Sequence, residues 1–264
     1  MFDWLRDHRR AEIRKHQFPS EWEFFVRTGV AHYNVLDNAA RAELLKTTMV
    51  LLEEKQWEGC GGLEITDEIK VTIAAQAALL LLGLTHNYYR NVDSILVYPT
   101  TIVAPEHQTG VFERVNGPVA APVPLLGQTS LTGPVILVWD AVLHSARHPE
   151  QGHNVVYHEF AHKLDMLDGT ADGTPPLVNN GQLSEWVEVC SQEFQRLRQL
   201  AENGHKTFLD SYGAKNEAEF FAVATEEFFD RPLELKKHAP GLYRVLCDYY
   251  QQEPASRVTP TREP

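Results

Sequence analysis

Asn154 to Gly169 read NVVYHEFAHKLDMLDG, and this stretch decides both the expected fold and the expected site. His158 and His162 are four residues apart, so on a helix they lie on one face, one turn above the other. Glu159 follows His158 directly and completes the pattern H-E-x-x-H. Two imidazoles at this spacing can hold one zinc ion from a rigid support, with the glutamate beside the metal-bound water.

The residues around the motif favour a half-buried helix over a chance match. Apolar side chains recur at helical spacing from Val155 to Leu164, and Gly169 follows as a helix stop. His144 and His148 are also four residues apart. However, no glutamate follows His144, and Pro149 disfavours helical geometry at His148. We interpret this second pair as surface histidines at a helix end.

A third metal ligand must come from another segment, because a catalytic zinc ion usually has three protein ligands and one open position. The segment from Ser211 to Phe229, SYGAKNEAEFFAVATEEFF, predicts a second helix that begins near Asn216. Its glutamates are all possible ligands by their chemistry: Glu217, Glu219, Glu226 and Glu227. Spacing alone does not choose among them.

Metal-bound imidazoles also need a hydrogen-bond partner for the second ring nitrogen. Asp165 lies on the same predicted helix face as the two histidines, and Asp168 lies at the turn beyond. Either aspartate is a candidate for this partner, and capping of the helix end is the alternative role for both. The loop-like residues 168–182 would border the cleft.

The first 60 residues predict helices. Ser20 with Glu23 forms the pattern of a capping box at the start of one of them. The basic stretch from Arg6 to Lys15 contains acidic residues as well, so we interpret it as a solvated helix face. Thr66 is expected to open a buried helix that includes Val71–Leu84, an apolar run too short to span a bilayer.

Short β-rich segments alternate with turn residues in the middle of the chain. Ile95–Val103, interrupted by Pro99, predicts a strand and turn. Residues 104–134 are rich in Pro, Gly and Thr and predict loops or short hairpins. Val135–Trp139, VILVW, predicts a strand whose edge could pair with an extended peptide. Helices are expected again from 141 to 251.

The expected organisation has three parts. Residues 1–90 form an N-terminal helical portion, residues 91–252 a catalytic core, and residues 253–264 a disordered tail with three prolines. One compact domain overall is the alternative for the first two parts.

Composition excludes some classes of function. The net charge of −12 argues against direct binding to nucleic acid, which needs clustered Lys and Arg. The three cysteines include no C-x-x-C pair, which fits a reducing compartment. Residues 1–18 lack the apolar segment of a signal peptide. We therefore expect a cytoplasmic protein with no contact to a membrane.

The segments HEFAHKLDMLDG and SYGAKNEAEFFA resemble the Mlc titration factor A family of bacterial zinc peptidases, and the resemblance runs over nearly the whole chain. The same segments resemble the catalytic domain of anthrax lethal factor more distantly. The resemblance implies one zinc ion per chain held by His158, His162 and Glu219. It also implies Glu159 as general base and Tyr212 as the active-site tyrosine. A tyrosine hydroxyl can stabilise an oxyanion or donate a proton.

The expected fold is therefore α+β, with a zincin-like core made of a small sheet, the motif helix and the glutamate helix. The expected activity is zinc-dependent, aminopeptidase-like hydrolysis of peptide bonds, although the residues alone leave internal cleavage open. The resemblance also implies binding to the glucose repressor Mlc and an effect on sugar phosphotransferase genes. A non-catalytic protein that sequesters a transcription repressor is the alternative.

Overall fold

The computed structural model of the protein describes residues 2–100 and 133–258. The helices in these ranges are α1 (Phe2–Ile13), α2 (Ser20–Gly29), α3 (Asn38–Glu54), α4 (Asp67–Leu81), α5 (Trp139–Arg147), α6 (Val155–Asp165), α7 (Asn180–Glu202), α8 (Glu217–Asp230), α9 (Pro232–His238) and α10 (Pro240–Tyr250). The strands are β1 (Gln56–Gly59), β2 (Ser94–Tyr98) and β3 (Val135–Val138). The predicted α+β class is confirmed. The loops and hairpins predicted for 104–134 lie almost entirely outside the described residues.

The three strands form a parallel sheet in the order β1-β2-β3. Ile95 pairs with Trp57 on one side and with Val135 on the other. Alternate residues of β2 and β3 are buried, as period-two patterning requires when one face of a sheet packs on a core. Within the described part of the chain, β3 forms one edge of the sheet, and α5 begins directly after it.

Helix α4 is the central helix of the core. Its start is set by Thr66, whose side-chain oxygen accepts a hydrogen bond from the backbone N–H of Ile69, as predicted. From Ile69 to Leu81 every residue except Lys70 is buried, because α2, α3 and α6 all pack against this helix. In residues 2–100 and 133–258, no helix combines the length and apolarity needed to cross a bilayer.

Two local predictions in the N-terminal portion are wrong. Residues 56–59 form β1 rather than the end of a helical region, because β2 supplies pairing partners that a four-residue pattern does not reveal. The capping box at Ser20 does not form. Pro19 takes the N-cap position, and Glu23 instead accepts a hydrogen bond from the Tyr33 hydroxyl.

The basic stretch in α1 is not simply a solvated face. Arg10 is 6% exposed and donates to both carboxylate oxygens of Glu54, at 2.6 and 2.7 Å. Arg14 donates to Glu43 at 2.8 Å. These pairs attach α1 to α3, so part of the charge that was expected to face solvent is used in packing.

The main hydrophobic core draws on residues from both sides of position 90, and β1 pairs with β2 across that position. The predicted tail begins with order instead of disorder. Pro254–Ser256 form a short 3-10 helix, and Ala255 is buried with its backbone N–H 3.1 Å from the Tyr243 hydroxyl. The prediction of a disordered tail is therefore wrong for these residues, because Pro254 and Ala255 are buried.

The contact between the ends of α4 and α10 yields a test of the packing. A Cβ at Gly83 would lie 2.2 Å from the carbonyl oxygen of Tyr250, and backbone cannot yield as a side chain can. We expect Gly83→Ala to lower the free energy of unfolding by about 1–3 kcal/mol. Equilibrium urea denaturation measures this change.

Gly241→Ala is the matched control, because a Cβ there would meet Val189 at an ordinary 3.4 Å. Its free energy of unfolding should change by less than about 1 kcal/mol. If the two variants unfold at the same urea concentration, the close approach at Gly83 is not a constraint on the fold.

Candidate metal centre

Helix α6 holds two histidines on one face. The Asn154 side chain caps the helix by accepting hydrogen bonds from the backbone N–H groups of Val156 and Tyr157, both at 3.1 Å. The apolar face of α6 is buried in the core, which fixes the rotation of the helix about its axis. His158 and His162 therefore project together, with ring centroids 4.8 Å apart.

Helix α8 presents a glutamate to these histidines. Its N-cap is Asn216, whose side-chain oxygen accepts a hydrogen bond from the backbone N–H of Glu219 at 2.9 Å. Phe220 and Phe221 turn into the core, and α8 packs along α6. Glu219 is thus held in the first turn, on the side that faces α6.

Three potential ligand atoms converge between the helices. The Nε2 atoms of His158 and His162 are 3.2 Å apart, and Oε2 of Glu219 lies 3.0 and 3.3 Å from them. Among the described residues, these form the one group of three or more His, Cys, Asp or Glu side chains that could share a metal ion. A deprotonated imidazole nitrogen and a carboxylate oxygen each have a lone pair for a cation, so this donor set fits a metal ion at its centre once the Nε2 protons are lost.

The charges in this group are strongly coupled. Burial would lower the pKa of His158, but its hydrogen bonds with Glu219 and Glu226 raise that pKa to about 10. Burial would raise the pKa of Glu219, but the hydrogen bonds from His158 and His162 hold it well below its usual value. Glu219 is therefore ionised at neutral pH, which is the state that binds a metal.

Glu226 orients the first histidine. Its Oε1 atom accepts a hydrogen bond from Nδ1 of His158 at 2.7 Å, and its Oε2 accepts one from the backbone N–H of Asn154 at 2.6 Å. From the sequence alone, Glu226 was expected only as a possible ligand. The sequence does contain an indication of its role. Glu226 lies seven residues after Glu219, and this spacing places it two turns further along the same face of α8.

Of the two roles considered for Asp165 and Asp168, the structure shows no hydrogen bond of a ring partner, and Asp168 has the alternative role of a cap. Asp165 is fully buried and accepts a hydrogen bond from the backbone N–H of Gly173 at 3.0 Å, which ties the following loop to α6. Burial raises its pKa to about 6. Asp168 accepts hydrogen bonds from the backbone and hydroxyl of Thr170, as a turn cap. Neither aspartate bonds to His158 or His162.

Tyr212 lies at the lip of the site. It belongs to a short 3-10 helix, Ser211–Ala214, whose start is capped by Asp210. Its hydroxyl donates a hydrogen bond to Oε1 of Glu219 at 3.2 Å, and its ring centroid is 6.0 Å from that of His158. The side chain is 43% exposed, so it can reach a bound molecule.

Glu159 is half-buried next to the histidines. Burial raises the pKa of its carboxyl group, although the nearby histidines oppose the shift. Its carboxylate makes no hydrogen bond to another described residue. A carboxylate that is raised in pKa and has no fixed partner can accept a proton from a water molecule.

Lys163 connects the motif helix to the sheet. This residue is 1% exposed, and its ammonium group donates to the carbonyl oxygen of Gly133 at 3.0 Å, two residues before β3 begins. Burial lowers the pKa of Lys163. The contact holds the entry to the edge strand against α6.

The other candidates of the sequence analysis lie apart from the cluster. Glu217 is exposed, and Glu227 pairs with Arg231 at the opposite end of α8. His144 and His148 contact Gln151 and Glu150. The interpretation of these two histidines as side chains at a helix end agrees with the end of α5 at Arg147.

The chain is similar to several known proteins and matches one family. The model of a family described as glucose-regulated metallopeptidase M90 matches residues 3–251. An uncharacterized protein of Synechocystis sp. is 36% identical over 257 residues, covering 95% of this chain and 90% of the relative. A Serratia proteamaculans protein named Mlc titration factor A is 30% identical over 226 residues, 84% of each chain. A Yersinia pestis protein of the same name is 27% identical over 84% of this chain and 82% of its own.

These matches confirm the predicted resemblance to the Mlc titration factor A proteins. The more distant likeness to lethal factor stays a prediction.

The contact between Glu226 and His158 makes the metal affinity depend on a residue that does not face the ion. We expect Glu226→Ala to weaken metal binding by about 10–100-fold, because the His158 ring loses the acceptor that orients it. Competition with a chromophoric chelator measures the dissociation constant.

Glu217→Ala, on the exposed side of the same helix, is the control and should bind the metal as the parent does. Circular dichroism checks that both variants fold. Equal metal affinity in the two variants would show that Glu226 does not support the centre.

Proposed function

The chain belongs to the glucose-regulated metallopeptidase M90 family, and on this basis we propose that it is a zinc-dependent peptidase with a zincin-like core. The observation that carries the proposal is the convergence of His158, His162 and Glu219 from α6 and α8. Glu159 and Tyr212 lie beside this group with the chemistry that hydrolysis needs.

The donor set supports zinc over harder cations. Two imidazoles and one carboxylate form a common ligand set of catalytic zinc, whereas Mg²⁺ and Ca²⁺ prefer oxygen ligands alone. Ligands about 2.0–2.1 Å from a tetrahedral zinc ion lie about 3.3 Å from one another. The three separations in this site, 3.0, 3.2 and 3.3 Å, are close to that spacing.

Each residue then has a distinct role. When bound, zinc would polarise the scissile carbonyl and lower the pKa of a water molecule. Glu159 takes the proton from the attacking water and delivers it to the leaving amine. Tyr212 donates a hydrogen bond to the oxygen that becomes negatively charged. Strand β3, which forms one edge of the sheet within the described residues, binds the substrate backbone as an added strand.

We further propose aminopeptidase-like cleavage in the cytoplasm. The three cysteines, which are free thiols, support the location. Comparing a peptide with its N-acetylated form tests the preference. An aminopeptidase needs the free amine, so equal rates for both peptides would indicate internal cleavage.

A second function rests on the relatives' name. The Serratia and Yersinia proteins are called Mlc titration factor A, and we propose that this chain also binds a transcription repressor of the Mlc kind. Pull-down of the repressor with metal-free protein separates the two functions. Retained binding would mean that sequestration needs no catalysis, and absence of binding to either form would exclude the repressor as a partner.

The proposed proton transfer makes a sharp prediction for Glu159. Glu159→Gln keeps the size and burial of the side chain but removes the basic carboxylate, so we expect kcat to fall by about 10²–10⁴-fold. Metal content should stay at one ion per chain, measured by elemental analysis beside the peptide assay.

Glu217→Gln, an exposed substitution of the same kind, should retain full activity. If Glu159→Gln hydrolyses peptides at the parent rate while it holds the metal, Glu159 is not the general base.

A further inference from the structure

The two carboxylate oxygens of Glu219 have different neighbours. Oε2 faces the Nε2 atoms of His158 and His162 and is the atom placed to bind the ion. Oε1 faces outwards and accepts a hydrogen bond from the Tyr212 hydroxyl at 3.2 Å. The ammonium group of Lys215 lies 3.8 Å from the same Oε1 atom. The outer oxygen therefore has one donor in contact and a second donor close by.

The proposed role of Tyr212 conflicts with this arrangement. A phenol has one proton to donate, so Tyr212 cannot donate to Oε1 of Glu219 and to a substrate oxygen at the same time. Glu219 is 14% exposed, and leaving an acceptor on a largely buried carboxylate without a donor is unfavourable. Hydrolysis therefore requires another donor for Oε1 when Tyr212 turns to the substrate.

Lys215 is positioned to be this second hydrogen-bond donor to Oε1 of Glu219. Its ammonium nitrogen is 3.5 Å from the Tyr212 hydroxyl and 5.1 Å from the centre of the Tyr212 ring, as well as 3.8 Å from Glu219. An ammonium group has three protons, so it can serve both neighbours. The Lys215 side chain is 57% exposed, and it sits between the short helix of Tyr212 and the start of α8.

Two other basic side chains of the described residues near the site bind different groups. Lys163 donates to the backbone at Gly133, and Arg231 pairs with Glu227. We infer that Lys215 is a positioning residue. The Lys215 ammonium group donates a hydrogen bond to Oε1 of Glu219 when the Tyr212 hydroxyl moves to the substrate. The Glu219 carboxylate therefore stays hydrogen-bonded through the reaction. This inference rests on the proposed peptidase function.

A double-mutant cycle on zinc affinity tests the exchange without any activity assay. In Tyr212→Phe, Lys215 can still donate to Glu219, and in Lys215→Met, Tyr212 can. Each single variant should therefore bind zinc within about 3-fold of the parent, whereas the double variant, with no donor left, should lose about 10-fold or more. The loss of one positive charge occurs in both backgrounds and cancels in the cycle.

Chelator competition gives the four dissociation constants, and Lys237→Met, an exposed lysine of α9, controls for loss of a surface charge. A double variant whose loss equals the product of the single losses would overturn the inference. Circular dichroism on all variants separates a lost donor from a lost fold.

Peptide kinetics provide the second readout. Lys215→Met should lower kcat several-fold with little change in KM, and Lys215→Arg should retain most of the parent kcat. In the Tyr212→Phe background, Lys215→Met should lower kcat no further. If the parent cleaves peptides with bound metal but the losses of zinc affinity are additive, only the role of Lys215 is overturned.

If the zinc-loaded parent cleaves no peptide, the peptidase proposal is overturned. Non-additive losses of zinc affinity would in that case still support Tyr212 and Lys215 as alternative donors to Glu219.

Discussion

Glu226 joins the two helices that carry the candidate ligands. One carboxylate oxygen accepts from the His158 ring on α6, and the other accepts from the backbone N–H of Asn154, at the start of the same helix. Because Glu226 lies on the face of α8 that also carries Glu219, these bonds set how far α8 slides along α6. The distances among the three converging atoms, and with them the chemistry proposed for the site, depend on this contact.

The same region concentrates negative charge inside the protein. Glu159, Glu219, Glu226 and Glu227 are all largely buried, and Arg231 neutralises one of them. Burial raises the pKa of Glu227 to about 7 even with this partner. Buried carboxylates cost free energy unless they are paired or bind a cation. A cation bound at the candidate metal centre would compensate part of this cost.

Local patterns predicted the parts of the structure that local interactions form. The spacing of His158 and His162 gave the shared helix face, and Thr66 marked the start of α4 as observed. Glu219 was not distinguishable from its neighbouring glutamates by spacing, since its selection depends on how α8 packs. Strand β1, the Arg10–Glu54 pair and the His158–Glu226 bond were missed for the same reason, because each joins residues that are distant along the chain.

The hydrogen bond from Lys163 to the carbonyl oxygen of Gly133 couples the sheet edge to the candidate metal ligands. Since Lys163 follows His162 directly on α6, this bond fixes the position of the start of β3 relative to the candidate ligands. A peptide paired with β3 would be extended, with a rise of about 3.3 Å per residue. The register of this pairing would decide which peptide residue lies opposite the candidate ligands. The side chains around β3 would then select among peptides, while the fixed distance from β3 to the candidate ligands would set the point of cleavage.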